Sequence, residues 1–196
     1  IGDVLVAQGD GPGALAAYEQ SFAIRAELAA LDPANTLWQR DFAVSHNKLG
    51  DIQVTQGDLP AALGHYQAGL AATADLARRD PANTLWQRDL AVSHNKVGDI
   101  LAAQGDSAAA LGAYRQGLAI AQALADRDGG NSEWQRDLSF SHNRIGDMLE
   151  AQGEGPAALA AYERGLAIAA TLVGRDPANT LWQRDCTIGH NRIGNL

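Results

Sequence analysis

The segment "NTLWQRD" stands at 35–41, 83–89 and 179–185, and a close variant, "NSEWQRD", at 131–137, so that each copy begins 48 residues after the last. Residues 32–79 and 80–127 agree at 33 of 48 aligned positions without a gap. Residues 128–175 continue the pattern, 176–196 open a further copy, and 1–31 hold the end of an earlier one. Repetition on this scale favours a stack of like structural units over a single catalytic centre, which would be written once. The chain starts and stops inside a unit, and is expected to be a window cut from a longer array.

Two helices are legible in each unit. The first is expected to open at Thr84, where Thr84 and Gln87 form a capping-box pattern repeated at Thr36/Gln39, Ser132/Gln135 and Thr180/Gln183. Asp89 suits the positive end of the helix dipole. Trp86, Leu90, Val97, Ile100 and Leu101 follow a helical period up to "QGD" at 104–106, where Gly105 suits a left-handed C-cap. Asp106 or Ser107 can cap the second helix, which carries Ala110, Leu111, Tyr114, Leu118, Ala121 and Leu124 on one face and stops near Asp128. At about 20 residues each helix spans roughly 30 Å. No strand-like alternation is present, so the expected class is all-α: antiparallel helical hairpins stacked into an α-solenoid.

The stretch "KLGDIQVTQGDLPAALGHYQAGL" at 48–70 resembles the tetratricopeptide repeat (TPR). Leu49-Gly50, Ala62, Tyr66 and the small Gly69 occupy that family's signature positions, and Ala14, Ala110 and Ala158 stand at the alanine site of the other copies. The resemblance implies a right-handed superhelix whose concave groove receives a peptide. The departures are also informative. The TPR unit has 34 residues and this one 48, so each helix gains seven at the end away from "QGD". Seven residues are close to two turns, so the added length extends the same buried stripe. Trp38, Trp86, Trp134 and Trp182 fall in this extension, expected to lie near Leu28, Leu76, Leu124 and Leu172. "DGGN" at 128–131 replaces "DPAN" and predicts a looser turn there.

Composition narrows the function classes. A net charge of −8 argues against nucleic acid, whose backbone demands clustered cations. No apolar run approaches the roughly 18 residues of a membrane span. Cys186 is the one cysteine, and it replaces Phe42, Leu90 and Leu138 in the repeat register, as a buried thiol acting as a small hydrophobe would. A reducing cytoplasm fits best. Histidines at 46, 94, 142 and 190 lie one per layer, and layers roughly 10 Å apart cannot converge on a metal. They are expected to be partly buried and hydrogen-bonded, with the unrepeated His65 facing solvent. Asp41, Ser45 and His46 lie close together, but no nucleophile turn or oxyanion site accompanies them. The expectation is therefore a non-enzymatic chain with no cofactor and no metal.

One polar stripe remains beside the buried face of the first helix: Arg40, Val44, Asn47, Asp51 and Thr55. It recurs as Arg88, Val92, Asn95, Asp99 and Ala103, as Arg136, Phe140, Asn143, Asp147 and Ala151, and as Arg184, Ile188, Asn191 and Asn195. The TPR resemblance places this stripe on the groove. Two readings stand at this point. In one, the Asn side chains bond the backbone of an extended peptide. In the other, the Asn/Asp ladder links adjacent units, with Lys48 or Lys96 as counter-charge. Asp51, Asp99 and Asp147 argue against a basic clamp for a terminal carboxylate. The expected function is an interaction scaffold for a protein or peptide partner, of the kind that resembles sensor or scaffold parts of larger bacterial signalling proteins. The alternative is a structural array that stacks on itself head-to-tail.

Overall fold

The computed structural model describes residues 1–196, and every regular element is an α-helix. Contacts divide the chain into two compact units, Ile1–Gln104 and Gly105–Leu196. The first holds α1 (Gly2–Ala7), α2 (Gly11–Leu31), α3 (Thr36–Gln56), α4 (Leu59–Arg79) and α5 (Thr84–Ala103). The second holds α6 (Ser107–Arg127), α7 (Ser132–Ala151), α8 (Gly155–Arg175) and α9 (Thr180–Gly194). Within each unit every helix packs on the next in chain order. The fold is an all-α helical-repeat solenoid.

The turns follow from local chemistry. Gly9, Gly57, Gly105 and Gly153 of the short turns adopt φ between 77° and 85°, which an L side chain resists. Asp10, Asp58 and Asp106 then cap the following helix by accepting from the backbone N–H three residues on. At the long turns the cap is one residue earlier than the sequence suggests. Asn35, Asn83, Asn131 and Asn179 are the N-caps, each accepting from the tryptophan N–H, and the Thr or Ser is the first helical residue. The glutamine has another role: Gln39 donates to the Ala29 carbonyl and Gln87 to that of Ala77, tying a helix start to the end of the preceding helix. The four tryptophans lie half-buried at these junctions. The Gly129-Gly130 turn is not looser: Asp128 accepts from Gly130 N–H as Asp32 does from Ala34, and Arg175 reaches the Gly129 and Gly130 carbonyls.

Within each unit the core sits between helices that follow one another in the chain. Ala14, Ala62, Ala110 and Ala158 are completely buried, because any larger residue there would force the helices apart. Tyr66 and Tyr162 lie flat against the glycine of the preceding helix. A Cβ on Gly50 would sit 2.5 Å from the Tyr66 ring, and one on Gly146 closer still to Tyr162. The Leu-Gly…Tyr pattern is therefore one packing device. Cys186 is half-buried rather than enclosed. One helix, α8, is long and apolar enough to count as a membrane span by composition, at a mean hydropathy of 1.2. That differs from the expectation of none. Ala158, Ala161, Tyr162, Gly165, Ala169 and Leu172 of α8 are buried within the unit, where α8 packs on α7 and α9.

Candidate functional site

The first-helix stripe is built on α3 and α5 in one unit and on α7 and α9 in the other. Because the Asn caps fix where each helix begins, the Arg and Asp of the repeated segment fall on the first two turns. Arg40 on α3 makes a two-pronged pair with Asp89 on α5, Nε to Oδ2 at 2.5 Å and Nη2 to Oδ1 at 3.3 Å. Arg136 on α7 meets Asp185 on α9 in the same way, at 2.5 and 3.4 Å, and the Asp185 side chain is 8% exposed. The hydrogen bond it donates to Asp89 holds the Arg40 guanidinium above its ordinary pKa. These residues link one repeat to the next, each pair spanning 49 positions.

A second rung lies farther along the helices. Asp51 accepts from Tyr66 Oη and from Lys96 Nζ, both at 2.5 Å, with the ammonium 5.1 Å from the Tyr66 ring centre. Asp147 accepts from Tyr162 Oη at 2.9 Å and from Arg192 at 2.7 and 3.0 Å. Tyr162 also donates to Glu150 at 2.7 Å. Burial, and then these carboxylate partners, push both phenols well above the usual tyrosine range. Lys96 and Arg192 each reach 45 residues back to the preceding repeat. Asp51 thus carries Lys96 as a counter-charge, and Asp147 carries Arg192.

The asparagines differ from their charged neighbours. Asn47, Asn95 and Asn143 each bury Oδ1 without a hydrogen-bond partner. Asn47 and Asn143 turn this oxygen toward a glycine of the facing helix: a Cβ on Gly69 would lie 3.1 Å from Asn47 Oδ1, and one on Gly165 2.6 Å from Asn143 Oδ1. The Cα–H groups of these glycines offer the oxygen only weak contacts. The amide nitrogens donate to no group of the protein. Around them, Val44 is half-buried, Val92 is 38% exposed, and Phe140 lies beneath the Arg136 guanidinium at 4.7 Å. Arg88 and Asp99 hold the equivalent stripe positions on α5, and Arg184 and Asn191 are exposed on α9.

The histidines do not all behave alike. His46 and His142 are buried, His94 is half-buried and His190 is exposed. Burial lowers the pKa of His46 to about 4, with a smaller contribution from His65, and also lowers His65, His94 and His142. His65 does not face solvent: it is half-buried, its Nδ1 lies 2.9 Å from Nδ1 of His46, and its ring packs with Phe22. Its uniqueness among the repeats is the signal that marks it. Ser45 donates to the Phe42 carbonyl at 2.7 Å, and Ser93 and Ser141 donate to carbonyls four residues back. These hydroxyls are bound into their own helices and are not directed at a histidine. A cavity of about 490 Å³ at the start of the chain, lined by Ile1, Tyr18, Ile24, Val44 and Lys48 among others, is open to solvent.

Residues 143–179 match the family described as Tetratricopeptide repeat. Among solved structures, the putative kinesin light chain of Podosopora anserina with nearly identical TPR-like repeats is 18% identical, over 99% of this chain and 84% of that one, at a TM-score of 0.67. A point-substituted form of that same protein is 19% identical over the same shares, also at 0.67. MamA is 18% identical, over 99% of this chain and 85% of its own, at 0.52. At these identities the likeness is one of fold. No curated protein matches the sequence.

Proposed function

We propose that this chain, a tetratricopeptide-repeat protein, is a non-enzymatic scaffold that receives an extended protein segment along the face of its first helices. The observation that carries this reading is the state of the asparagines. On a stripe whose arginines and aspartates at 40, 51, 136 and 147 are engaged with protein partners, Asn47, Asn95 and Asn143 keep amide nitrogens that donate to nothing. A primary amide offers donors and an acceptor on one planar edge, which suits the peptide group of an extended chain. Turned over, the same amide would offer Oδ1 to a peptide N–H, so either orientation leaves a polar edge for a ligand. Val44, Val92 and Phe140, each three residues before the Asn of its layer, supply apolar contacts for its side chains. The ion pairs on the same face cancel much of the charge, so the favoured segment is one without a strong net charge.

The test begins with linear peptides selected from a displayed library on the intact chain. The double variant Asn47→Ala/Asn95→Ala removes two neutral hydrogen bonds, about 1–3 kcal/mol together, and is expected to weaken those peptides roughly 5- to 150-fold. Its folding stability should stay close to that of the parent, because the lost oxygens were unpartnered. Peptides that bind the folded double variant as tightly as the parent would sink this reading.

A further inference from the structure

The solenoid repeats its chemistry almost residue for residue, so a polar group written only once is informative. His65 is such a group, since Ala17, Ala113 and Ala161 stand at the matching positions. It is on α4, and its Nδ1 atom lies 2.9 Å from Nδ1 of His46 on α3. The Phe22 ring from α2 packs edge-on to both imidazoles, with centroids at 4.8 and 5.9 Å, and Phe42 packs on His46 at 4.7 Å.

We propose that His46 and His65 form a two-imidazole site for a late first-row transition-metal ion, Cu²⁺ foremost. Two nitrogens bound at 2.0–2.1 Å lie about 2.9 Å apart when they subtend a right angle at a square-planar ion, and about 3.3 Å apart on a tetrahedral one. The pair is therefore already spaced as adjacent ligands of a square-planar centre. Metal binding also requires deprotonated imidazoles. In the ion-free pair one Nδ1 carries the shared proton and the other accepts it. On binding, both Nδ1 lone pairs go to the metal and the donor imidazole moves its proton to Nε2, so no proton is released.

The surroundings select the class of ion. No third histidine, cysteine or carboxylate joins the pair. The remaining positions would fall to water; His65 is half-buried and His46 buried. Without a carboxylate the site is unsuited to Ca²⁺ or Mg²⁺, and imidazole affinity rises through Ni²⁺ to Cu²⁺. The position matching His65 in the repeat of His142 is Ala161, so the second unit carries its own control.

The test uses the intact chain without an affinity tag, titrated with Cu²⁺ and followed by calorimetry and by electron paramagnetic resonance. The parent is expected to bind one Cu²⁺ with two equatorial nitrogens. His65→Ala writes into this repeat the residue found at the same place in three others, so it should fold. It is expected to bind Cu²⁺ at least roughly tenfold more weakly, the loss that even an outer-sphere partner causes, and to show no two-nitrogen signature. No stoichiometric binding by the parent, equal affinity in folded His65→Ala, or a one-nitrogen spectrum in the parent would each overturn the proposal.

Discussion

Replacing Tyr162 by Ala is expected to cost about 3–5 kcal/mol of folding stability, as truncation of a fully enclosed aromatic ring does. The ring has no exposure and lies against Gly146, where no side chain can back away to fill the space it leaves. Its hydroxyl donates to Asp147 and Glu150, so truncation also takes a partner from the rung that holds α9 through Arg192. Tyr162→Phe separates the two effects. It keeps the ring and removes hydrogen bonds to charged acceptors, for an expected loss of about 1.5–3 kcal/mol. Chemical denaturation of both variants measures each loss. A cost below about 1 kcal/mol for the alanine variant would contradict the packing described for this repeat.

Acidification is expected to have the second large effect. His46 has a folded pKa of about 4 against an ordinary value of 6.5, and His65, His94 and His142 are shifted in the same direction by burial. These groups take up protons less readily in the folded chain than in the unfolded one. Their stabilisation is thus complete above the unfolded value and is lost as pH falls below it. For His46 alone the loss grows by about 1.4 kcal/mol per pH unit and reaches about 3 kcal/mol near pH 4. The window from pH 6.5 to about 5 isolates the histidines, because carboxylates titrate lower. Urea unfolding across that window should show stability falling with pH, and a shallower slope in His46→Gln. Stability that is flat or rises on acidification would refute the burial of these imidazoles in neutral form.

Much of this fold was legible in the repeat. Leu49-Gly50, Ala62 and Tyr66 announced the close helix pair, and Gly105 marked a left-handed turn. What escaped a local reading has a common cause. Thr36 and Asn35 are both good capping residues, and only the backbone path decides that Asn35 takes the role. Gln39 looked like the second half of a capping box, yet its partner is the Ala29 carbonyl on the previous helix. Arg40 gave no local sign of its ion pair, because its partner, Asp89, lies in the next copy. The regular separations of 49 residues for Arg to Asp and 45 for Lys or Arg to Asp are visible once one copy is laid against its neighbour. His65 is the reverse case: its lack of repetition suggested an idle surface position, whereas it packs on His46 and Phe22.

The central claim is that the repeated "WQRD" writes an interlock between repeats, leaving recognition to the asparagines. A double-mutant cycle on Arg136 and Asp185 tests it most directly, with Arg136→Ala, Asp185→Ala and the double variant compared in denaturant and against the selected peptides. The pair should show a coupling of about 1–2 kcal/mol in stability, moderated because the Arg136 side chain is 30% exposed. Peptide affinity should be unchanged in the folded Arg136→Ala variant. No coupling in stability, together with loss of peptide binding on removing Arg136 alone, would contradict the account.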